Sequence, residues 1–260
     1  CIRDRYQPGR ESPDNIEKRD KALDALKKAY EIDPTNKEII YSLGDMYDKI
    51  RDFEEAEKMY LKIVEMEPTK MENYYVVAQF YTRYAGGTEE EATDGGKTPF
   101  QKAEEMYMRR IEVDPEDPKG YAYIAQFYDN LTPIPEFDKA NNFHMIRAKR
   151  EPDNAEVWYA IGVNRWAKAH RLQNMISAAE QKKLADESEA ALQKAIEMDP
   201  SYPEPYAYMS VLNRSLKARL WPENAARLTQ EAAQWAEKFQ VARKREADRR
   251  RVEQELRGIR

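Results

Sequence analysis

The chain has 260 residues, 35% of them charged, and a formal net charge of −5. That charge excludes nucleic acid as a default partner, and no apolar run approaches the ~20 residues a membrane-spanning helix needs. A chain this polar does not build one thick core, whereas many thin interfaces between stacked units tolerate it.

In chain order, Cys1 comes first and is the single cysteine, so a disulfide, a Cys-x-x-Cys pair and a haem-attachment motif are all excluded. Residues 2–15 (IRDRYQPGRESPDN) hold Pro8, Gly9 and Pro13 and few aliphatics; they read as a tether of at most ~50 Å. A helix is expected over 16–32, with Ala22, Leu26 and Ala29 facing in and Asp14 or Asn15 as its cap. Over 36–68 the spacing is that of a helix hairpin. Ile40, Leu43, Gly44 and Tyr47 mark the first helix, and Ala56, Tyr60 and Ile63 the second. Neither helix has enough apolar face to stand alone.

The hairpin recurs, and its stop signals show where. Asp33-Pro34, Glu67-Pro68, Asp114-Pro115, Glu151-Pro152 and Asp199-Pro200 each place an acid before a proline at the end of an amphipathic run. Proline disfavours helix at the residue before it and presets the start of the next one. The prolines lie 34, 47, 37 and 48 residues apart, so a 34-residue unit leaves insertions of 0, 13, 3 and 14. Aligned on them, one first-helix position holds Gly44, Ala78, Ala125, Gly162 and Ser210. One second-helix position holds Ala22, Ala56, Ala103, Ala140 and Ser188. Small residues there let two helices approach closely. A third position holds Tyr47, Tyr81 and Tyr128, then Arg165 and Asn213.

The insertions fall between the two helices of a unit. The first, AGGTEEEATDGGKTP after Tyr84, is a loop by its Gly pairs and Pro99. Its Glu89, Glu90, Glu91 and Asp94 lack the alternating oxygen ligands of a calcium loop, so no metal is expected. The unit with AQFY at 125–128 turns through LTPIPEF. The insertion over 166–187 has no Gly or Pro and should lengthen both helices. After Pro222 one long helix is expected, with Leu228, Ala232, Trp235, Phe239 and Ala242 as its packing stripe. Residues 236–260 carry 9 basic and 5 acidic side chains. Arg249, Arg250 and Arg251 make a candidate docking arm for an acidic partner or lipid headgroups; the alternative is a solvated helix end.

The pattern of a large residue, Leu, Gly and Tyr, followed by Ala, an aromatic, an aliphatic and Pro resembles the tetratricopeptide repeat, as does the triplet Trp158, Ile161 and Gly162. The resemblance covers roughly 17–239. It implies an all-α, right-handed solenoid of about five hairpins with a long C-terminal capping helix: a tether at 1–15, the solenoid at 16–242 and a charged helical extension at 243–260. It also implies that first helices line a groove. The positions pointing into it carry Tyr41, Ser42 and Asp45; Tyr75, Val76 and Gln79; Ala122, Tyr123 and Gln126; Tyr159, Ala160 and Val163; Ala207, Tyr208 and Val211. Each unit thus offers one tyrosine, a residue suited to interfaces, and Gln79 and Gln126 suit the backbone of an extended peptide. The other reading is that the tyrosines pack on one another. Tyr41 and Asp45 stand where the family's carboxylate clamp has lysine and asparagine, so clamp-type co-chaperone function is not expected.

His144 falls in the aromatic slot of a second helix, and His170 has no partner at ligand spacing. With no phosphate loop or nucleophile elbow, neither catalysis nor a cofactor is expected. A first-position cysteine resembles a mature bacterial lipoprotein, with a lipid on Cys1 and, since residue 2 is Ile rather than Asp, the outer membrane favoured over the inner. The other reading is a boundary that falls on a cysteine. The expected function is a non-catalytic protein-binding scaffold, lipid-anchored in a bacterial envelope and holding subunits of a larger assembly. The alternative is a soluble peptide-binding adaptor.

Overall fold

The computed structural model describes residues 13–84 and 96–258, leaving out the side chains of 13–15 and 257–258. Residues 1–12 of the expected tether, Cys1 among them, and the part of the acidic insertion with Glu89, Glu90, Glu91 and Asp94 lie outside the described residues; the tether's last three residues, 13–15, are corrected, since they open α1 (Pro13–Ile32). All regular structure within them is helical. The helices are α1 (Pro13–Ile32), α2 (Lys37–Ile50), α3 (Phe53–Met66), α4 (Met71–Tyr84), α5 (Pro99–Val113), α6 (Pro118–Asp129), α7 (Phe137–Arg150), α8 (Ala155–Arg171), α9 (Ala178–Met198), α10 (Glu204–Val211), α11 (Ala218–Leu220) and α12 (Ala225–Gly258). A π-helical turn, Leu212–Lys217, joins α10 to α11. The chain forms two compact units, one of Cys1–Gly120 with Thr132–Ile134, the other of Tyr121–Leu131 with Pro135–Arg260.

In the first unit α1 packs on α2, and α2–α3 and α4–α5 form hairpins. The caps are those their sequences dictate. Asn36 accepts from the Ile39 N–H and Asp52 from that of Glu55, while Thr98 and Gln101 form a reciprocal capping box ahead of Pro99. Arg51 turns α2 into α3 at φ 65°, a left-handed position usually given to glycine. Ile40, Leu43, Ala56, Ile63, Val77, Ala78, Ala103 and Tyr107 are fully or almost fully buried. The expected inward face of α1 is corrected at Ala22, which is exposed; Leu26 and Ala29 are partly buried as expected, together with Arg19, Leu23 and Tyr30. Ala22 occupies the close-approach position of a second helix, and among the described residues no first helix packs over it. Asp14 and Asn15 do not cap α1, because the helix already runs from Pro13.

In the second unit α8–α9 and α10–α12 are paired, and α6 meets α7 through the stacked rings of Tyr128 and Phe143. The insertion over 166–187 lengthens both helices as expected, α8 to 17 residues and α9 to 21. At the close-approach positions the Ser188 hydroxyl donates to Gly162 O at 2.8 Å, and that of Ser210 to Ala232 O at 2.8 Å. Leu184, Leu192, Met209, Leu212 and Leu216 fill the core around them. The stripe of α12 is buried at Leu228, Ala232 and Ala242, with Trp235 and Phe239 half-buried.

At three of the five stops the acid before the proline also acts in the turn. Asp33, Asp114 and Asp199 accept from the backbone N–H two residues on, at 3.2, 3.1 and 2.9 Å. Such a local bond offers the backbone an alternative to helix, so aspartate and proline stop the helix together.

Candidate functional site

The first-helix tyrosines are half-buried. In the first unit the Tyr41 hydroxyl donates to Asn73 Oδ1 at 3.0 Å. Asn73 in turn donates to the carbonyls of Ile63 and Glu67 at the end of α3. Burial pushes the Tyr41 phenol up, so it stays a donor at neutral pH. Tyr75 lies 6.5 Å from the ring of Tyr107. Gln79, expected to meet a peptide backbone, donates its amide to the Tyr107 hydroxyl at 2.6 Å; α4 and α5 share that bond.

In the second unit Tyr123 is half-buried and Gln126 exposed on α6. Tyr159 on α8 sits edge-on to two rings, Tyr202 at 5.4 Å and Tyr208 at 5.5 Å. Tyr208 meets Trp166 edge-on at 5.5 Å, and Trp166 stacks on His170 at 5.1 Å. Five rings thus run continuously from the turn before α10 to the end of α8. The partly exposed Trp166 ring and the exposed His170 extend the strip beyond the tyrosines. Burial raises the phenols of Tyr159 and Tyr202, keeping both protonated. Tyr159 and Tyr208 are positions the sequence assigns to first helices; Tyr202, Trp166 and His170 come from a turn and an insertion, where repeat alignment has no register.

His144 packs in its expected slot and is also polar: its Nε2 lies 2.8 Å from Asp129 Oδ2. Asn164 donates to Asp129 Oδ1 and to Phe137 O. Arg165, standing where three other units have tyrosine, is only 7% exposed. It donates to Asn164 Oδ1 and Phe137 O and pairs with Asp138 at 3.4 Å. This network ties α6, α7 and α8 together.

The basic arm is compensated by its own chain. Arg249 pairs with Asp199 at 3.8 Å and Glu253 at 3.9 Å, Arg250 with Glu246, and Arg251 with Asp248 at 3.7 Å and Glu255 at 3.9 Å. Arg249 and Arg250 line a cleft of about 970 Å³ whose other walls include Glu151, Asp153, Glu156 and Glu204. Among the described residues no group of three or more His, Cys, Asp or Glu side chains is arranged to hold a metal ion. No helix there is long and apolar enough to cross a membrane.

Family models for the tetratricopeptide repeat match residues 17–79 and 177–202. The chain carries tetratricopeptide repeats. A crystal structure of MamA protein has the same fold, with a TM-score of 0.51 at 15% identity over 82% of this chain and 94% of that one. The fold class is accordingly all-α, a tetratricopeptide solenoid. Two further structures are similar. One is a thermophilic TPR protein of Thermus thermophilus, at 20% identity over 76% of this chain and 91% of that one, TM-score 0.44. The other is YrrB, a TPR protein with an unusual peptide-binding site, at 14% identity over 85% and 93%, TM-score 0.46. No curated protein matches the chain at a significant level.

Proposed function

We propose that this tetratricopeptide protein is a non-catalytic scaffold that binds protein partners along the tyrosine-bearing faces of its first helices. The aromatic strip Tyr202–Tyr159–Tyr208–Trp166 carries the reading. Its rings are held by one another yet stay partly exposed, and aromatic rings with little rotamer entropy to lose are the usual anchors of an interface. Tyr123→Ala and Tyr159→Ala are each expected to weaken capture of partner proteins in a pull-down at least tenfold, on the order of 1–2 kcal/mol per ring. Their helical circular dichroism should be unchanged. Normal capture by both variants, with loss on charge reversal of Arg249, Arg250 and Arg251, would move the docking surface to the C-terminal arm.

For location, the proposal follows the resemblance of the N-terminal sequence to a lipoprotein: a lipid on Cys1 holds the scaffold at a bacterial membrane, the outer one favoured, where it organises subunits of an envelope assembly. Native protein should then exceed its sequence mass by an acyl-glyceryl group and sediment with membranes. An unmodified mass with recovery in the soluble fraction would leave a soluble adaptor using the same faces.

A further inference from the structure

Among the described residues, one flank of α12 leaves three apolar side chains exposed. Val241, Val252 and Leu256 are 51%, 48% and 61% exposed. Separations of 11 and 4 residues bring them within about 60° of one another around a helix of 3.6 residues per turn. Val241 also lines a groove of about 580 Å³ whose apolar walls are Ile196, Pro200, Tyr206, Trp235 and Ala242. From Gln234 to Leu256 this flank is about 33 Å long at 1.5 Å per residue.

We propose that the flank is where a second copy of this chain docks, α12 against α12, antiparallel about a two-fold axis. Charge selects the occupant and the register. With Val241 set opposite the partner's Val252, Lys238 falls opposite the partner's Glu255 and Arg245 opposite the partner's Asp248. All four of these charged side chains are exposed. The two-fold axis repeats each pairing, so the same two charges of each sign serve both copies, as an isologous interface requires. A parallel, in-register pairing would instead set Arg245 on Arg245 and Asp248 on Asp248, which is repulsive. A slip of one helical turn would bring the valines off one another. The partner's Leu256 then reaches the groove at Trp235 and Tyr206, adding area towards the roughly 800 Å² per partner of a standard interface.

The test is sedimentation equilibrium on the intact chain, whose monomer mass is 30.6 kDa. A concentration-dependent dimer is expected. Arg245→Asp and Asp248→Arg should each weaken it at least tenfold by setting like charges face to face, and the double swap should restore it, because the two-fold axis exchanges both partners. A second measurement does not rely on those charges. In a Cys1→Ser background, mixing Val241→Cys with Val252→Cys chains should give an oxidised heterodimer, and neither variant alone should cross-link. A monomer at every soluble concentration overturns the proposal. So does a dimer indifferent to both single swaps, or cross-linking by either cysteine variant alone in preference to the mixture.

Discussion

Gly162→Leu is expected to destabilise the protein by about 3 kcal/mol, the upper part of the range for overpacking a tight core. A Cβ on residue 162 would lie 2.7 Å from Leu192 Cγ, 2.9 Å from Leu192 Cδ2 and 3.2 Å from Ser188 O. Leu192 is fully buried, so it has no open space to turn into, and Ser188 O is backbone. α8 and α9 must therefore part, and the 2.8 Å bond from the Ser188 hydroxyl to Gly162 O goes with them. A loss of that size corresponds to a fall in melting temperature of roughly 10 °C, readable by circular dichroism. An unchanged denaturation midpoint would contradict this account of the close approach.

The second large effect is expected at Asp129. Its two oxygens serve His144 Nε2, 2.8 Å away, and the amide of Asn164. Both partners are buried, at 5% and 2% exposure. Asp129→Ala removes the acceptor and leaves two buried donors short of it, which costs about 1–3 kcal/mol for each group that stays unsatisfied. Asn164 keeps its bond to Phe137 O, so the expected total is about 2–3 kcal/mol. His144→Phe in the Asp129→Ala background should cost less than in wild type, because the histidine's partner is already gone. Equal costs in the two backgrounds, from urea denaturation of all four proteins, would mean that the pair is uncoupled.

Much of the candidate surface was legible in the residues, but not its wiring. Tyr41, Tyr75, Tyr123, Tyr159 and Tyr208 can be placed on first helices by counting from the prolines. Counting does not show that Tyr41 is tied to Asn73 or that Gln79 is tied to Tyr107. Those partners lie 32 and 28 residues away, in other helices. The arginines at 249–251 read as an excess of positive charge along the chain. In space their acids are one helical turn away or on the turn at Asp199.

By itself the sequence determined the helix class, the hairpin boundaries and the close-approach positions. Those depend on local chemistry: proline and aspartate stop a helix, apolar spacing orients it, and only a small residue permits contact between backbones. Tertiary structure decided what depends on the identity of a distant neighbour. It left Ala22 exposed, because among the described residues no first helix packs against that side of α1. It gave His144 and Arg165 a shared polar network where tyrosines pack in other units. It also placed a π-helical turn at Leu212–Lys217, within a stretch whose residues suit an ordinary α-helix equally well. The extra residue in that turn is accompanied by the simultaneous burial of Leu212, Leu216 and Leu220, a packing demand that no local pattern encodes.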